Sequence, residues 1–111
     1  MSIQGGWSPN PARLVQRDTG GEFALTGEVI RIGRGAQNQL VLNDPRASTN
    51  HALILRLGEI YWIEDQGSAN GTLVNGQRIG QRTQLRHGDE VTIGQTRLQF
   101  IALAGAQAPF A

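Results

Sequence analysis

The protein has 111 residues, 39% of them hydrophobic, with ten basic and nine acidic side chains and a net charge of +1. This length fits one domain, since domains cluster around ~100–150 residues, and the hydrophobic content is sufficient for a packed core. All basic residues are arginine and cysteine is absent, which excludes a P-loop lysine, a Schiff-base lysine, disulfides and a zinc–thiolate site. The arginines form no run, so the charge pattern does not indicate a nucleic-acid-binding stripe.

The two ends of the chain differ in composition from its middle. Residues 1–11 and 104–111 are rich in small and polar residues, and we predict flexible segments there, flanking one folded domain at 12–103. The start lacks a basic region followed by an apolar run, and no stretch approaches ~18–20 apolar residues. We therefore expect a cytoplasmic protein that does not associate with membranes.

Short runs of β-branched and aliphatic residues alternate with glycine-containing breaks, which predicts an all-β fold. The predicted strands are residues 12–17, 22–25, 28–32, 40–42, 52–57, 60–65, 83–86, 90–93 and 96–103. In the fifth, alternation places Leu53, Leu55 and Leu57 on one face and Ile54 and Arg56 on the other. Many short strands joined by tight turns predict an antiparallel β-sandwich of two twisted sheets, with functional loops at one end.

Glycine marks the predicted turns, because two-residue hairpin loops need a positive φ at defined positions. Asn75-Gly76 fits a type I′ turn. Gly58-Glu59 and Gly94-Gln95 fit type II′ turns, with glycine first, and Gly20-Gly21 fits a further turn.

Three loops carry more polar residues than their turns require, at residues 33–38, 44–51 and 66–72. They supply arginine, hydroxyl, amide and glycine groups but no pair of carboxylates. Loops of a sandwich gather at its ends, where a rigid scaffold can hold a binding site.

The polar residues of these loops, in their order along the chain, resemble those of the forkhead-associated (FHA) domain, a phosphothreonine-binding β-sandwich module. The motifs are Gly33-Arg34, Ser48-x-x-His51, Asn70-Gly71-Thr72, Asn75-Gly76, Leu85-x-x-Gly88-Asp89 and Ile93-Gly94. Each alone is common, whereas the ordered set, which extends from about residue 30 to residue 100, is specific.

The resemblance implies a phosphate-binding role for Arg34, Ser48 and Thr49. Arg34 would bind the phosphate with parallel guanidinium donors. Ser48 would donate its hydroxyl and a neighbouring backbone amide. At position 49 the family generally has Arg, Lys or Asn, so Thr49 departs from the pattern and predicts weaker binding.

The resemblance also implies that Asn70 contacts the peptide main chain, since an amide both donates and accepts. Gly33 and Gly71 would be backbone positions that a side chain would obstruct. His51 would be structural, with a ring that holds in place the loop of residues 44–51, which contains Ser48 and is called the serine loop below.

Four further residues form the predicted specificity loops: Arg46, Asn50, Ser68 and Ala69. Arg46 occupies a family position that contacts ligand side chains, and we predict a preference for an acidic residue about three places after the phosphothreonine. Ala69 stands where the family usually has Ser or Thr. In the family a small pocket holds the γ-methyl group, and the resemblance therefore implies weaker binding of phosphoserine than of phosphothreonine, by about 1–3 kcal/mol.

The predicted function is recognition of a phosphothreonine-containing protein downstream of a Ser/Thr kinase, by a monomer that needs no cofactor and catalyses no reaction. One alternative is an FHA-fold docking domain that has lost phosphate recognition. An enzyme is a weaker alternative: Ser48 and His51 with Asp44 or Asp65 resemble a triad, but no G-x-S-x-G motif is present and two histidines supply little metal chemistry.

A nucleic-acid-binding β domain is the remote alternative, and it would use the basic residues Arg78, Arg82, Arg86 and Arg97. The aromatic residues Tyr61, Trp62 and Phe100 lie in apolar runs, so we expect them in the core rather than stacked on bases.

Overall fold

The computed structural model describes residues 12–102, which form eleven strands and no helix. The strands are β1 (Arg13–Gln16), β2 (Glu22–Ala24), β3 (Val29–Gly33), β4 (Leu40–Val41), β5 (Ala52–Leu57), β6 (Ile60–Asp65), β7 (Thr72–Val74), β8 (Gln77–Arg78), β9 (Thr83–Leu85), β10 (Glu90–Ile93) and β11 (Thr96–Ile101). Nine of them match predicted strands, mostly to within one residue at each end. β7 and β8 flank the Asn75-Gly76 turn and were predicted only through it.

The strands form two sheets, in the orders β2-β1-β11-β10-β7-β8 and β4-β3-β5-β6-β9. The predicted all-β sandwich is confirmed. One pairing departs from the antiparallel expectation: β3 and β4 run parallel, with Ile32 opposite Leu40. The loop between them contains Arg34, so this connection places the arginine loop beside the end of the sheet.

The core lies between the two sheets and draws on both. Its largest fully buried side chains include Phe100 and Leu14 from the first sheet and Ile54 and Ile63 from the second. The rings of Tyr61 and Phe100 join the sheets with centroids 5.4 Å apart at 60°. Tilted aromatic pairs of this kind add about 0.5–1.5 kcal/mol beyond the area they bury.

The buried face of β5 carries Ala52 and Ile54, whereas the side chains of Leu53 and Leu55 are half-buried on the outer face. Trp62 lies opposite Leu55 on that outer face and is also half-buried. The expectation that Trp62 belongs to the core was therefore wrong, because alternation along β6 places its neighbours Tyr61 and Ile63 inward instead.

The predicted turn chemistry is present at three hairpins. Asn75 and Gly76 have φ values of 53° and 85°, as a type I′ turn requires. Gly58 and Gly94 have φ values of 67° and 63°, and each glycine is the first residue of a two-residue loop. Gly20 also has a positive φ, of 78°, and residues 17–21 separate β1 from β2, one residue more than the predicted strands leave between them.

The predicted flexible segments at 1–11 and 104–111, and Leu103 at the end of the last predicted strand, lie outside the described residues. Residues 12–102 contain no helix that is long and apolar enough to cross a membrane.

Candidate functional site

The three polar loops meet at one end of the sandwich. Arg34 follows β3, and its side chain is exposed. Its Nε donates a 2.8 Å hydrogen bond to the Ala47 carbonyl, and its backbone N–H donates to the Ser48 carbonyl at 2.9 Å. The terminal guanidinium nitrogens have no hydrogen-bond partner within residues 12–102. Arg34 is thus held against the serine loop by one edge, while its other donors stay available.

Ser48 connects the second loop to the third. Its hydroxyl accepts a 3.0 Å hydrogen bond from the Ala69 N–H, and its backbone N–H donates to His51 Nδ1 at 3.0 Å. No acceptor for the hydroxyl hydrogen, and no partner for the Thr49 N–H, is found in the described part of the chain. Arg34, the Ser48 hydroxyl and the Thr49 amide therefore bring three kinds of free donor to neighbouring positions.

His51 is completely buried beneath this loop. Because Nδ1 accepts from Ser48, the ring hydrogen resides on Nε2, which donates to the Gly71 carbonyl at 2.9 Å. Neutral His51 thereby ties the serine loop to the loop of Asn70. His51 makes no hydrogen bond to the Ser48 hydroxyl, so the pair lacks the nucleophile–base contact of a hydrolase.

Asn70 is exposed, and its Nδ2 donates to the Arg46 carbonyl at 2.9 Å. This hydrogen bond uses one amide hydrogen and leaves Oδ1 and the second hydrogen without a partner among residues 12–102. The side chain is therefore fixed between two loops and still offers one donor and one acceptor.

Asp65, at the end of β6, organises the loop that precedes Asn70. Its carboxylate accepts from the Ser68 N–H at 2.9 Å, the Ser68 hydroxyl at 2.5 Å and the Thr72 hydroxyl at 2.7 Å. The Ser68 hydroxyl in turn accepts from the Gly71 N–H at 2.9 Å, so Ser68 is engaged inside its own loop. Burial raises the pKa of Asp65, but the hydrogen bonds from Ser68 and Thr72 outweigh it and lower the pKa below its ordinary value.

Asp44 anchors the other side of the serine loop. Its carboxylate accepts from the Arg46 N–H at 2.9 Å, and from the Gln95 N–H at 2.8 Å and the Thr96 hydroxyl at 2.7 Å in the β10–β11 hairpin. Burial raises the pKa of Asp44, and the hydrogen bonds, that of Thr96 foremost, lower it overall. The Arg46 side chain itself is exposed and has no carboxylate within 4.0 Å in the described structure.

Two close approaches account for glycine in the motifs. A Cβ on Gly33 would collide with the Thr49 carbonyl oxygen and lie 2.9 Å from Asn38 Nδ2. Gly71 has a φ of 88°, which L-residues with side chains rarely adopt, and Arg78 covers it. The positive φ constrains Gly71 more than the contact does, since a flexible arginine side chain can move.

The remaining predicted residues lie around this centre. Thr49 and Asn50 are exposed, and Asn50 Oδ1 accepts from Gln37 at 2.7 Å. Ala69 contributes its backbone N–H to Ser48. All eleven residues proposed from the sequence thus lie within the three loops that come together.

Four residues that support the site were not assigned a role in it from the sequence. Asn38 is buried, and its Nδ2 donates to the carbonyls of Gly35 and Thr49 at 2.8 and 2.7 Å, joining the first two loops. Asp44 and Asp65 had been considered only as triad members. An Asp that precedes a loop can accept hydrogen bonds from nearby backbone N–H groups, as Asp65 does from Ser68, and this is the sequence signal that could have found it. The sequence analysis includes Arg78 only among the basic residues of the nucleic-acid-binding alternative.

Within the described residues, no group of three or more His, Asp or Glu side chains is gathered in a way that could hold a metal ion.

The family model of the FHA domain matches residues 30–94, which include all three loops. The chain belongs to the FHA domain family.

Among curated relatives, FHA domain-containing protein FhaB of Mycobacterium tuberculosis is 35% identical over 81 residues, covering 73% of this chain and 52% of FhaB. The chain thus spans about half the length of that relative. The oxoglutarate dehydrogenase inhibitor of Corynebacterium jeikeium is 37% identical over 84 residues, covering 76% of this chain and 58% of the inhibitor.

Among solved structures, Mycobacterium tuberculosis EmbR in complex with a low-affinity phosphopeptide superposes with a TM-score of 0.85 at 31% identity. The match covers 96% of this chain and 28% of EmbR. FHA domains are interaction modules rather than enzymes, and the engaged ring nitrogens of His51 agree with that class.

Proposed function

We propose that this FHA domain binds phosphothreonine in a partner protein and thereby makes an interaction dependent on a Ser/Thr kinase. The observation that carries the proposal is the hydrogen bond from Arg34 Nε to the Ala47 carbonyl, which fixes a guanidinium beside Ser48. A phosphate monoester carries about −1.5 to −2 charges at neutral pH and accepts several hydrogen bonds. The free donors of Arg34, Ser48 and Thr49 match that ligand in charge and in hydrogen-bonding type.

The peptide main chain next to the phosphothreonine is assigned to Asn70. Its unpaired Oδ1 and second amide hydrogen complement one N–H and one C=O of an extended peptide. Because the hydrogen bond to Arg46 already fixes this side chain, little rotamer entropy is lost when the peptide binds.

We propose that the partner is a phosphothreonine-containing protein and that it binds to an FHA domain monomer in the cytoplasm. The kinase that phosphorylates the partner acts upstream of this interaction. The phosphopeptide in the EmbR complex supports the ligand class. An FHA domain that docks proteins without phosphate is the competing function, and Thr49 and Ala69 are the residues that would favour it.

The test is a calorimetric titration with three peptides of one sequence, carrying phosphothreonine, phosphoserine or threonine. We expect affinity in the micromolar range, near −8 kcal/mol, for phosphothreonine, weaker binding for phosphoserine and none for threonine. Arg34→Lys keeps the positive charge but removes the parallel guanidinium donors and the hydrogen bond from Nε to the Ala47 carbonyl. We therefore expect this variant to lose most of its affinity for the phosphothreonine peptide. Equal binding of the phosphorylated and unphosphorylated peptides would establish the docking function instead.

Arg46 carries the proposed sequence preference. It is exposed, it adjoins Asn70 through its carbonyl and it lacks a carboxylate partner in the described structure. Peptides with Asp or Lys three residues after the phosphothreonine should therefore differ in affinity, and the peptide with Asp should bind more tightly. Arg46→Gln should abolish the difference, while equal affinities in the parent protein would reject this role.

A further inference from the structure

A third arginine lies beside the site, on β8. A Cβ built on Gly71 would lie 2.5 Å from Arg78 Nε and 2.8 Å from its Cζ, so the guanidinium crosses directly over the Gly71 backbone. Gly71 is the residue after Asn70, and it is buried, whereas Asn70 is exposed. The Arg78 side chain therefore forms part of the surface next to Asn70.

Arg78 is exposed and makes no hydrogen bond or ion pair within residues 12–102. Other arginines of the fold are paired: Arg17 with Glu90 at 2.9 Å, and Arg82 with Glu64 at 2.6 Å. The arginines without a carboxylate around Asn70 are Arg34, Arg46 and Arg78. The two carboxylates nearest in the chain to these loops, Asp44 and Asp65, are occupied by hydrogen bonds from their own loops.

The contacts order these groups across the surface. Arg34 contacts the serine loop, Asn70 contacts Arg46, and Arg78 contacts Gly71. A peptide anchored by its phosphate at Arg34 and Ser48 and by its main chain at Asn70 therefore has Arg78 as its next neighbour on the far side of Asn70. An unpaired guanidinium at that place complements a carboxylate of the peptide.

We propose that Arg78 is a specificity-determining residue that binds an Asp or Glu side chain of the phosphothreonine peptide, at a position different from the one read by Arg46. This inference rests on the proposed phosphothreonine function. An exposed charge pair contributes modestly, so the expected preference for an acidic residue is about two- to fivefold in affinity.

The experiment uses a phosphothreonine peptide flanked by alanines and a series in which one Asp is moved through the four positions on either side. Each peptide is titrated against the parent protein and the Arg78→Gln, Arg46→Gln and Arg56→Gln variants. Arg56 is the matched control, because its side chain is exposed, makes no salt bridge in the described structure and lies near the end of β5 that is remote from the three loops. The Gln variants all remove one positive charge.

One Asp position should gain affinity in the parent protein, lose that gain in Arg78→Gln, and keep it in Arg46→Gln and Arg56→Gln. The charge reversal Arg78→Glu should transfer the preference to Lys at the same position, which a merely structural role would not produce. Thermal unfolding of each variant is measured alongside, and if Arg78→Gln does not fold, the Arg78→Glu exchange decides.

The proposal is overturned if no Asp position depends on Arg78, or if Arg56→Gln abolishes the same preference. Failure of the underlying function has a different signature, since the parent protein would then not distinguish the alanine-flanked phosphothreonine peptide from its unphosphorylated twin.

Discussion

The Ser48 hydroxyl and the Ala69 N–H are joined by a hydrogen bond of 3.0 Å, which connects two loops through a group that still has a hydrogen to donate. The position of the hydroxyl is thus set by the fold before any ligand arrives. One lone pair of the oxygen accepts from Ala69, and the hydroxyl hydrogen stays available for donation, which is what a phosphate oxygen requires.

Ser48→Ala is expected to weaken phosphothreonine binding roughly ten- to hundredfold, because a hydrogen bond to a charged group contributes about 1.5–3 kcal/mol. The change also leaves the Ala69 N–H without its acceptor. Calorimetric titration measures the effect. Thr26→Ala removes an exposed hydroxyl at the opposite end of the sandwich and should leave affinity unchanged; a similar loss in both variants would contradict the assignment.

Thr49→Arg is expected to strengthen phosphothreonine binding by about two- to tenfold, because it adds a charged donor next to the Ser48 hydroxyl. The position is exposed, so the longer side chain has room. Thr26→Arg makes the same change at an exposed position at the opposite end of the sandwich and serves as the control. A gain that also appears with the unphosphorylated peptide would show general attraction rather than phosphate binding.

The stability of the domain is expected to fall at acidic pH through Asp44 and Asp65. Both carboxyls have native pKa values below the ordinary 3.8, so folding favours their charged forms. Their contribution to the free energy of unfolding is complete above the ordinary value and is lost as the pH falls from there through the lower native pKa values.

Urea unfolding at a series of pH values tests this dependence. Asp65→Asn and Asp44→Asn should each lower the free energy of unfolding at neutral pH and flatten its decrease in acid. Glu59→Gln, an exposed turn residue, is the control and should keep the slope of the parent protein. An unchanged slope in both Asn variants would disprove the role of these carboxylates.

Gly33→Ala is expected to destabilise the domain by about 1–3 kcal/mol or to displace the serine loop, because its methyl group would meet a backbone carbonyl that cannot rotate away. Gly80→Ala is the matched change, since a Cβ there has no neighbour within 4 Å and the φ is not positive. Chemical denaturation compares the two. Equal stability of both variants would show that the loop yields to the methyl group.

The fold could be predicted from the sequence wherever the signal was local. Asn75-Gly76 predicted a turn because its residue types permit positive φ, and the turn is present. The buried face of β5 could not be chosen, because Leu53 and Ile54 are both apolar and only the packing of the second sheet distinguishes them. The parallel β3–β4 pair was not predicted, because only six residues separate the two strands and parallel strands are usually joined by longer crossovers.

The site shows the same limit. The residues assigned to it came from an ordered motif, and the structure brings their loops together. The roles of Asn38 and Asp44 were missed because their partners, Thr49 and Thr96, are remote in sequence or carry no signal of their own. The role of Arg78 was missed because its side chain occupies the space beside Gly71 where other residues have a Cβ, and this contact can be seen only in the folded structure.

The hydrogen bonds that tie the three loops to one another have a kinetic consequence. A recognition surface assembled in advance need not reorganise during an encounter, so ligands of this domain should associate at similar speeds. Discrimination between them is then expressed as residence time, and the complex that lasts longest marks the preferred sequence.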